Sequence, residues 1–297
     1  MKKRKLVGIL LAVLTVVTFF YFKDKFAYGD FRYYIYQYAT LAEAFLCIWC
    51  FVPYKKVENL QKNKEKKLSK RTLLSLIFTL IAIPVTIFAG IYLLGDRKYY
   101  FISLMIIFET IIPFAVSFED KKPSSRELVI ISVLCALGVA GRCAFVGLPQ
   151  FKPVLALVII SGVCFGGETG FLVGAVTAFV SNFFFSQGNW TPWQMFCFGI
   201  VGFVTGIVFD KGLLKTNRIT LSVFGFLATM IIYGGIINFG NVLMYMPYPD
   251  KEAILLSYSM AFNLDLIHAF STAFFLWYLS EPMIEKLDRV KNKYGLL

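Results

Sequence analysis

Asp265 and His268 stand three residues apart in an apolar run near the end of a 297-residue chain. That spacing puts both side chains on one face of a helix. A carboxylate inside a hydrophobic span costs about 2.5–3.5 kcal/mol to insert, so such a residue faces a cavity or a partner. His268 is the only histidine, so no histidine-built metal site exists and the ring is left as a hydrogen-bonding or proton-carrying group. More polar residues punctuate the same half of the chain: Arg142, the run Gln150-Phe151-Lys152-Pro153, Asn182, the segment Ser186-Gln187-Gly188-Asn189-Trp190-Thr191-Pro192-Trp193-Gln194, Asn238 and Asn241. Gathered at one end of a bundle, Asn and Gln would orient hydrogen bonds and Trp would offer flat contact area. Such a rim suits a small polar or amphipathic ligand better than a simple ion. The candidate substrate-binding residues are therefore Arg142, Phe151, Asn182, Gln187, Asn189, Trp190, Trp193, Gln194, Asn238, Asn241, Asp265 and His268. Each class has a plainer alternative: tryptophans in an interfacial belt, an arginine that snorkels to water, a histidine bonded to Asp265 or to a backbone carbonyl.

Catalytic signatures are missing. There is no phosphate-binding G-x-x-x-x-G-K-[ST] loop, no H-E-x-x-H, no G-x-S-x-G and no acidic cluster for magnesium chemistry. Uphill transport would need an ion gradient or another subunit, and no cofactor or metal is expected. The six cysteines, at 47, 50, 135, 143, 164 and 197, lie in or beside apolar runs and form no disulfide framework. Cys47-Ile48-Trp49-Cys50 has dithiol spacing, which leaves a membrane-embedded thiol oxidoreductase as an alternative function. A secondary transporter driven by protonation of Asp265 or His268 is another.

The elements that position these residues are membrane helices. The chain is 58% hydrophobic and only 16% charged, too few charges to cover a soluble globule. Residues 169–209 and 219–249 are uncharged throughout, each longer than the roughly 20 residues that cross a bilayer. The expected fold is an all-α polytopic integral membrane bundle of about ten helices, near 6–22, 33–54, 72–94, 99–118, 127–146, 153–167, 169–187, 193–209, 219–246 and 256–280. The basic opening Lys2-Lys3-Arg4-Lys5 leads into the first of these as an anchor helix, since no small-x-small cleavage site follows it. The span at 153–167 is short enough to be re-entrant, but crossing there keeps 22 of the 30 basic residues on the side of the N-terminus. The positive-inside rule then puts both termini in the cytoplasm and the polar rim outside. The net charge of +12 thus reads as topology, with no nucleic acid as partner.

Three regions follow: a four-helix extension at 1–120 with a basic loop at 55–71, a six-helix core at 127–285, and a basic cytoplasmic tail at 286–297. Glu43 and Glu109 fall near mid-span in the extension and should turn into the bundle or toward each other. The core carries small residues at helical spacing: Ala136 and Ala140 backed by Gly138 and Gly141, then Gly170, Gly174 and Ala178, then Gly199, Gly202 and Gly206. In lipid, close helix approach depends on such residues. Two of these stripes are expected to pack within the chain, leaving one for a partner helix.

The run Arg126-Glu127-Leu128 through Ala136-x-x-x-Ala140-Gly141-Arg142, then Gln150-Phe151-Lys152-Pro153, Ser181-Asn182-Phe183-Phe184 and above all Gln187-Gly188-Asn189-Trp190-Thr191-Pro192-Trp193-Gln194-Met195 resembles the substrate-binding S components of energy-coupling factor (ECF) transporters. The similarity is greatest to the branch usually assigned to cobalamin, and Asp265-Leu266-Ile267-His268-Ala269-Phe270-Ser271 is similar to that branch too. The resemblance covers about 127–285. It implies a membrane subunit that captures a vitamin-like solute outside the cell and docks on a transmembrane coupling subunit carrying two ATPases. By the same resemblance, Ala136 and Ala140 match the partner-docking motif. The region 1–120 has no counterpart in typical members.

Single cysteines placed at Asn189 and Thr216 should label from opposite faces of the cell membrane. Labelling of both from the same face would overturn the ten-span topology.

Overall fold

The computed structural model describes residues 2–22, 125–245 and 250–295, with scattered positions between 43 and 109. The spans expected near 33–54, 72–94 and 99–118, the basic loop 55–71 and the Cys47/Cys50 pair lie outside the described residues. The chain separates into two compact units, 1–58 and 59–297. In the first, α1 (Lys2–Phe22) is an apolar helix behind a basic start. Its Thr18 hydroxyl donates to Glu43 Oε2 at 2.7 Å. In the second, the Thr86 hydroxyl donates to Glu109. Each of the two acids expected at mid-span is thus met by a threonine hydroxyl, which satisfies part of its hydrogen-bonding capacity.

The second unit continues with α2 (Ser125–Ala144), α3 (Val154–Phe165), α4 (Gly167–Phe185), α5 (Thr191–Asp210), α6 (Arg218–Leu227), α7 (Gly234–Tyr245) and α8 (Lys251–Tyr294). A π-helical turn, Ala228–Tyr233, joins α6 to α7, so the two form one run of 28 residues. Among the described residues five runs are long and apolar enough to cross a membrane: α2, α4, α5, α6 with α7, and α8. The architecture is all-helical, as the apolar runs predict.

Helix ends follow local chemistry. Asn217 caps α6 by accepting from the Thr220 amide at 2.8 Å, and Asp250 caps α8 by accepting from Ala253 at 2.7 Å. Pro192 sits in the first turn of α5, where no amide partner is needed. Gly166, at φ +85°, ends α3 and turns the chain straight into α4.

The shortest helix is the most central. All 12 residues of α3 are buried, and at 1.5 Å per residue it is about 18 Å long, less than the roughly 30 Å hydrocarbon thickness. Yet it runs from one end of the bundle to the other. Lys152, just before it, lies over the Phe185 ring at the end of α4, while Gly166, just after it, abuts Asp210 at the far end of α5. Protein rather than lipid surrounds it, so its short length leaves no backbone exposed to hydrocarbon.

What lets α3, α4 and α5 approach so closely is the loss of side chains. A Cβ on Gly202 would come within 2.2 Å of the Gly170 carbonyl oxygen, one on Gly206 within 2.1 Å of the Gly167 nitrogen, and one on Gly162 within 2.5 Å of the Gly202 carbonyl oxygen. These are backbone contacts, which no rotamer change relieves. The two glycine stripes on α4 and α5 therefore pack against each other. The α2 stripe divides: Gly138 faces Thr177 and Gly141 faces Pro153, whereas Ala136 and Ala140 are exposed beside Val133 and Leu137.

Helix α8 is longer than the span expected at 256–280, reaching 44 residues. The basic segment from Lys286, read in the sequence as a tail, continues this helix to Tyr294. Lys291 Nζ donates to the Cys164 carbonyl at 2.8 Å, capping the C-terminus of α3. Nearby, Glu281 pairs with Arg218, which also lies over the Trp277 ring.

Gly202→Leu should lower thermal stability in detergent by about 1–3 kcal/mol or abolish folding, because the added side chain meets backbone. Ala136→Leu, on the exposed face, should leave the melting temperature near wild type. Equal effects on melting would contradict the assignment of the two faces.

Candidate solute site

At the Lys152 end of the bundle, α2 delivers Arg142 inward instead of letting it snorkel. The side chain is buried, and Nη1 donates to Ser181 Oγ at 2.6 Å and to Asn182 Oδ1 at 2.7 Å. Asn182 passes the network on: its Nδ2 donates to Thr191 Oγ1 at 3.1 Å and to Gln194 Oε1 at 2.9 Å. Thr191 Oγ1 also accepts from the Gly188 amide. The loop between α4 and α5 is therefore folded back on itself. It starts at Ser186, whose φ of +76° is unusual for a residue with a side chain, and Gly188 is needed because the Trp190 ring lies 2.5 Å from where a Cβ would stand.

The loop between α2 and α3 closes over the same end. Ser271 on α8 holds it by both backbone groups, accepting from Lys152 N at 2.8 Å and donating to Lys152 O at 3.0 Å. Phe151 is buried against Phe274 and Phe275, and Phe145 joins them at 5.3 Å from Phe275. The Lys152 ammonium lies over the Phe185 ring, which Arg142 also covers, at 4.7 and 4.6 Å from the centroid. Burial, reinforced by the neighbouring Arg142 guanidinium, pulls the Lys152 ammonium below the usual lysine range.

Opposite them, Asn238 Nδ2 donates to Asp265 Oδ2 at 2.6 Å, and Tyr258 on α8 donates to the Gly235 carbonyl. His268 does not turn to Asp265 or to a backbone carbonyl. Its ring meets Tyr233 edge-on at 4.7 Å, and its buried Nδ1 has no partner among the described residues. His268 stands one helical turn before Ser271, which clamps Lys152, and Trp193, beside Gln194, packs on Gly240 two residues after Asn238. The two halves therefore belong to one region.

The structure brings together Arg142, Phe151, Asn182, Gln194, Asn238, Asp265 and His268. Trp193 is 2% exposed and packs against Gly240, so it is a core residue of this end and not part of a belt. Trp190 is half-buried on Gly188. Gln187 is exposed and spends its amide on the Phe179 carbonyl, which turns it away from the rest. Asn189 and Asn241 are half-buried. Tyr233, Phe185, Ser181, Thr191 and Ser271 also stand at this end, although the candidate set drawn from the sequence does not include them. Ser181 is adjacent to Asn182 and was within reach of the same argument. Tyr233 was not, because the π-turn that aims it leaves no mark in a hydropathy pattern. Among the described residues, no three His, Cys, Asp or Glu side chains gather as metal ligands.

An all-helical bundle with several membrane-length runs and a buried polar region at one end defines a multi-pass membrane protein. A family model described as "ECF-type riboflavin transporter, S component" matches residues 122–276, and the chain belongs to that family. It is thus a substrate-specific subunit of an ECF transporter. Over 125 residues it is 29% identical to a UPF0397 protein of Vibrio atlanticus (strain LGP32), covering 40% of this chain and 68% of that one. Over 137 residues it is 31% identical to a UPF0397 protein of Aliivibrio fischeri (strain MJ11), covering 44% and 72%. No solved structure matches the chain.

Proposed function

We propose that this chain captures a vitamin-like solute at the Arg142 end of its core, on the outside of the cell membrane, for uptake driven by two ATPase subunits through a transmembrane coupling subunit. The observation that carries the reading is the buried, prearranged set at that end: Arg142 fixed by Ser181 and Asn182, and His268 buried with an unused nitrogen. In a membrane bundle, polar groups held in this way mark a solute path or site. The family description supports riboflavin as a solute to assay, and the tryptophan-rich motif supports cobalamin. On this reading the core 127–285 does the binding, 1–120 is an adjunct, and both termini are cytoplasmic.

The glycine faces of α4 and α5 are consumed by internal packing, which leaves Ala136 and Ala140 exposed on α2. We assign that face to docking on the coupling subunit, as the small residues would let a partner backbone approach.

The purified chain in detergent should bind riboflavin or cobalamin with nanomolar to micromolar affinity, without ATP, in calorimetric titrations. Absence of binding to both would remove them as solutes. Ala140→Leu should leave that affinity unchanged while reducing co-purification of the coupling subunit several-fold; recovery at wild-type level would remove the docking assignment.

A further inference from the structure

Arg142 is 9% exposed, yet both its hydrogen bonds go to neutral oxygens, and both leave from Nη1. The rest of the guanidinium fork bonds to no described residue. Lys152 is half-buried, and its ammonium contacts the same Phe185 ring. Neither cation has a carboxylate within ion-pair distance among the described residues. Asp265 on α8 accepts from Asn238 and makes no ion pair with either cation among the described residues. Two like charges therefore meet on one aromatic ring in a largely dry corner, where each is costly and the pair repels. Evolution of a purely structural corner would favour a neutral residue or a counter-ion. Here the surrounding residues do the opposite: Asn182 is itself pinned by Thr191 and Gln194, and Ser271 clamps the backbone of Lys152. The cations are held in place with no counter-charge among the described residues.

An arginine fork and a lysine ammonium side by side form a recognition set for carboxylate or phosphate oxygens. We propose that the captured solute carries an anionic group, a carboxylate or phosphate, that pairs with Arg142 and Lys152 beside the Phe185 ring. This rests on the reading that the chain captures a small solute. The anion supplies the missing counter-charge, and the remainder of the solute extends toward Tyr233 and the free nitrogen of His268. A solute without such a group would leave both cations unpaired in the bound state.

The same chemistry is offered by the headgroup of an anionic phospholipid, since Phe183 and Phe184, next to Phe185, are 66% and 70% exposed. The test is native mass spectrometry of the full chain purified in mild detergent, identifying everything released from wild type, Lys152→Gln and Arg142→Lys. Lys152→Gln retains the backbone bonds to Ser271, and Arg142→Lys keeps a cation at the buried position, so melting curves separate lost pairing from lost folding. The expected result is a small solute bearing a carboxylate or phosphate, with occupancy reduced about tenfold or more in a folded variant. A bound solute with no acidic group would overturn this proposal and leave solute capture standing. Wild-type occupancy in both variants would do the same. Phospholipid as the sole acidic ligand, lost in the variants, would assign the two cations to the membrane and overturn the proposal. No small solute in any preparation would overturn solute capture together with the anion.

Discussion

The contact between the backbones of α4 and α5 at Gly170 and Gly202 is the constraint on which the rest of the core depends. Lipid gives helices no hydrophobic reason to associate, so their attraction comes from close packing and a few polar bonds. With the facing carbonyl oxygen 2.2 Å from where a Cβ on Gly202 would stand and 2.6 Å from one on Gly170, neither position accepts any other residue without separating the helices. Gly162 brings α3 against the same seam. The seam also sets the distance across which Asn182 on α4 reaches Gln194 on α5. A polar network of this kind needs its donors and acceptors within a few tenths of an ångström, and the glycines provide that tolerance from below.

Much of this was legible in the sequence because the bilayer imposes simple rules. Apolar runs between charge clusters located the helices of the core, including the short α3. The glycine periodicity indicated that two of the three small-residue stripes would pack within the chain, without saying which two. The polar residues of the region around Arg142 were visible as departures from apolar runs, since a polar residue in a span needs a reason to be there. What stayed hidden depends on conformation and not on composition. The π-turn that directs Tyr233 toward His268, the outward turn of Gln187, and the division of the α2 stripe between Gly138 and Ala136 all follow from local backbone geometry. The length of α8 was hidden for another reason: its last turns are charged, and a hydropathy scan stops where the charges begin although the helix does not.

The cations of this core differ in what surrounds them at its two ends. At one end, Arg218 is answered by Glu281 on the neighbouring helix and Lys291 by the carbonyl of Cys164. These cations tie helices together. At the other end, the partners of Arg142 and Lys152 among the described residues are neutral groups and an aromatic ring. The contrast within one small bundle sets cations that tie helices together beside the two that we propose meet an anionic solute.

Helix α8 holds α3 at both extremities. Ser271 grips the backbone of Lys152 immediately before α3 begins, and Lys291, 20 residues further along the same helix, grips the carbonyl of Cys164 where α3 ends. The central helix is thereby gauged like a strut between two fixed stops on one rod. A single residue inserted into α3 would advance its end by about 1.5 Å and rotate it by roughly 100°, so one of the two grips would be lost. The segment is intolerant of insertion and deletion for a mechanical reason, independent of how well the inserted residue suits an apolar core.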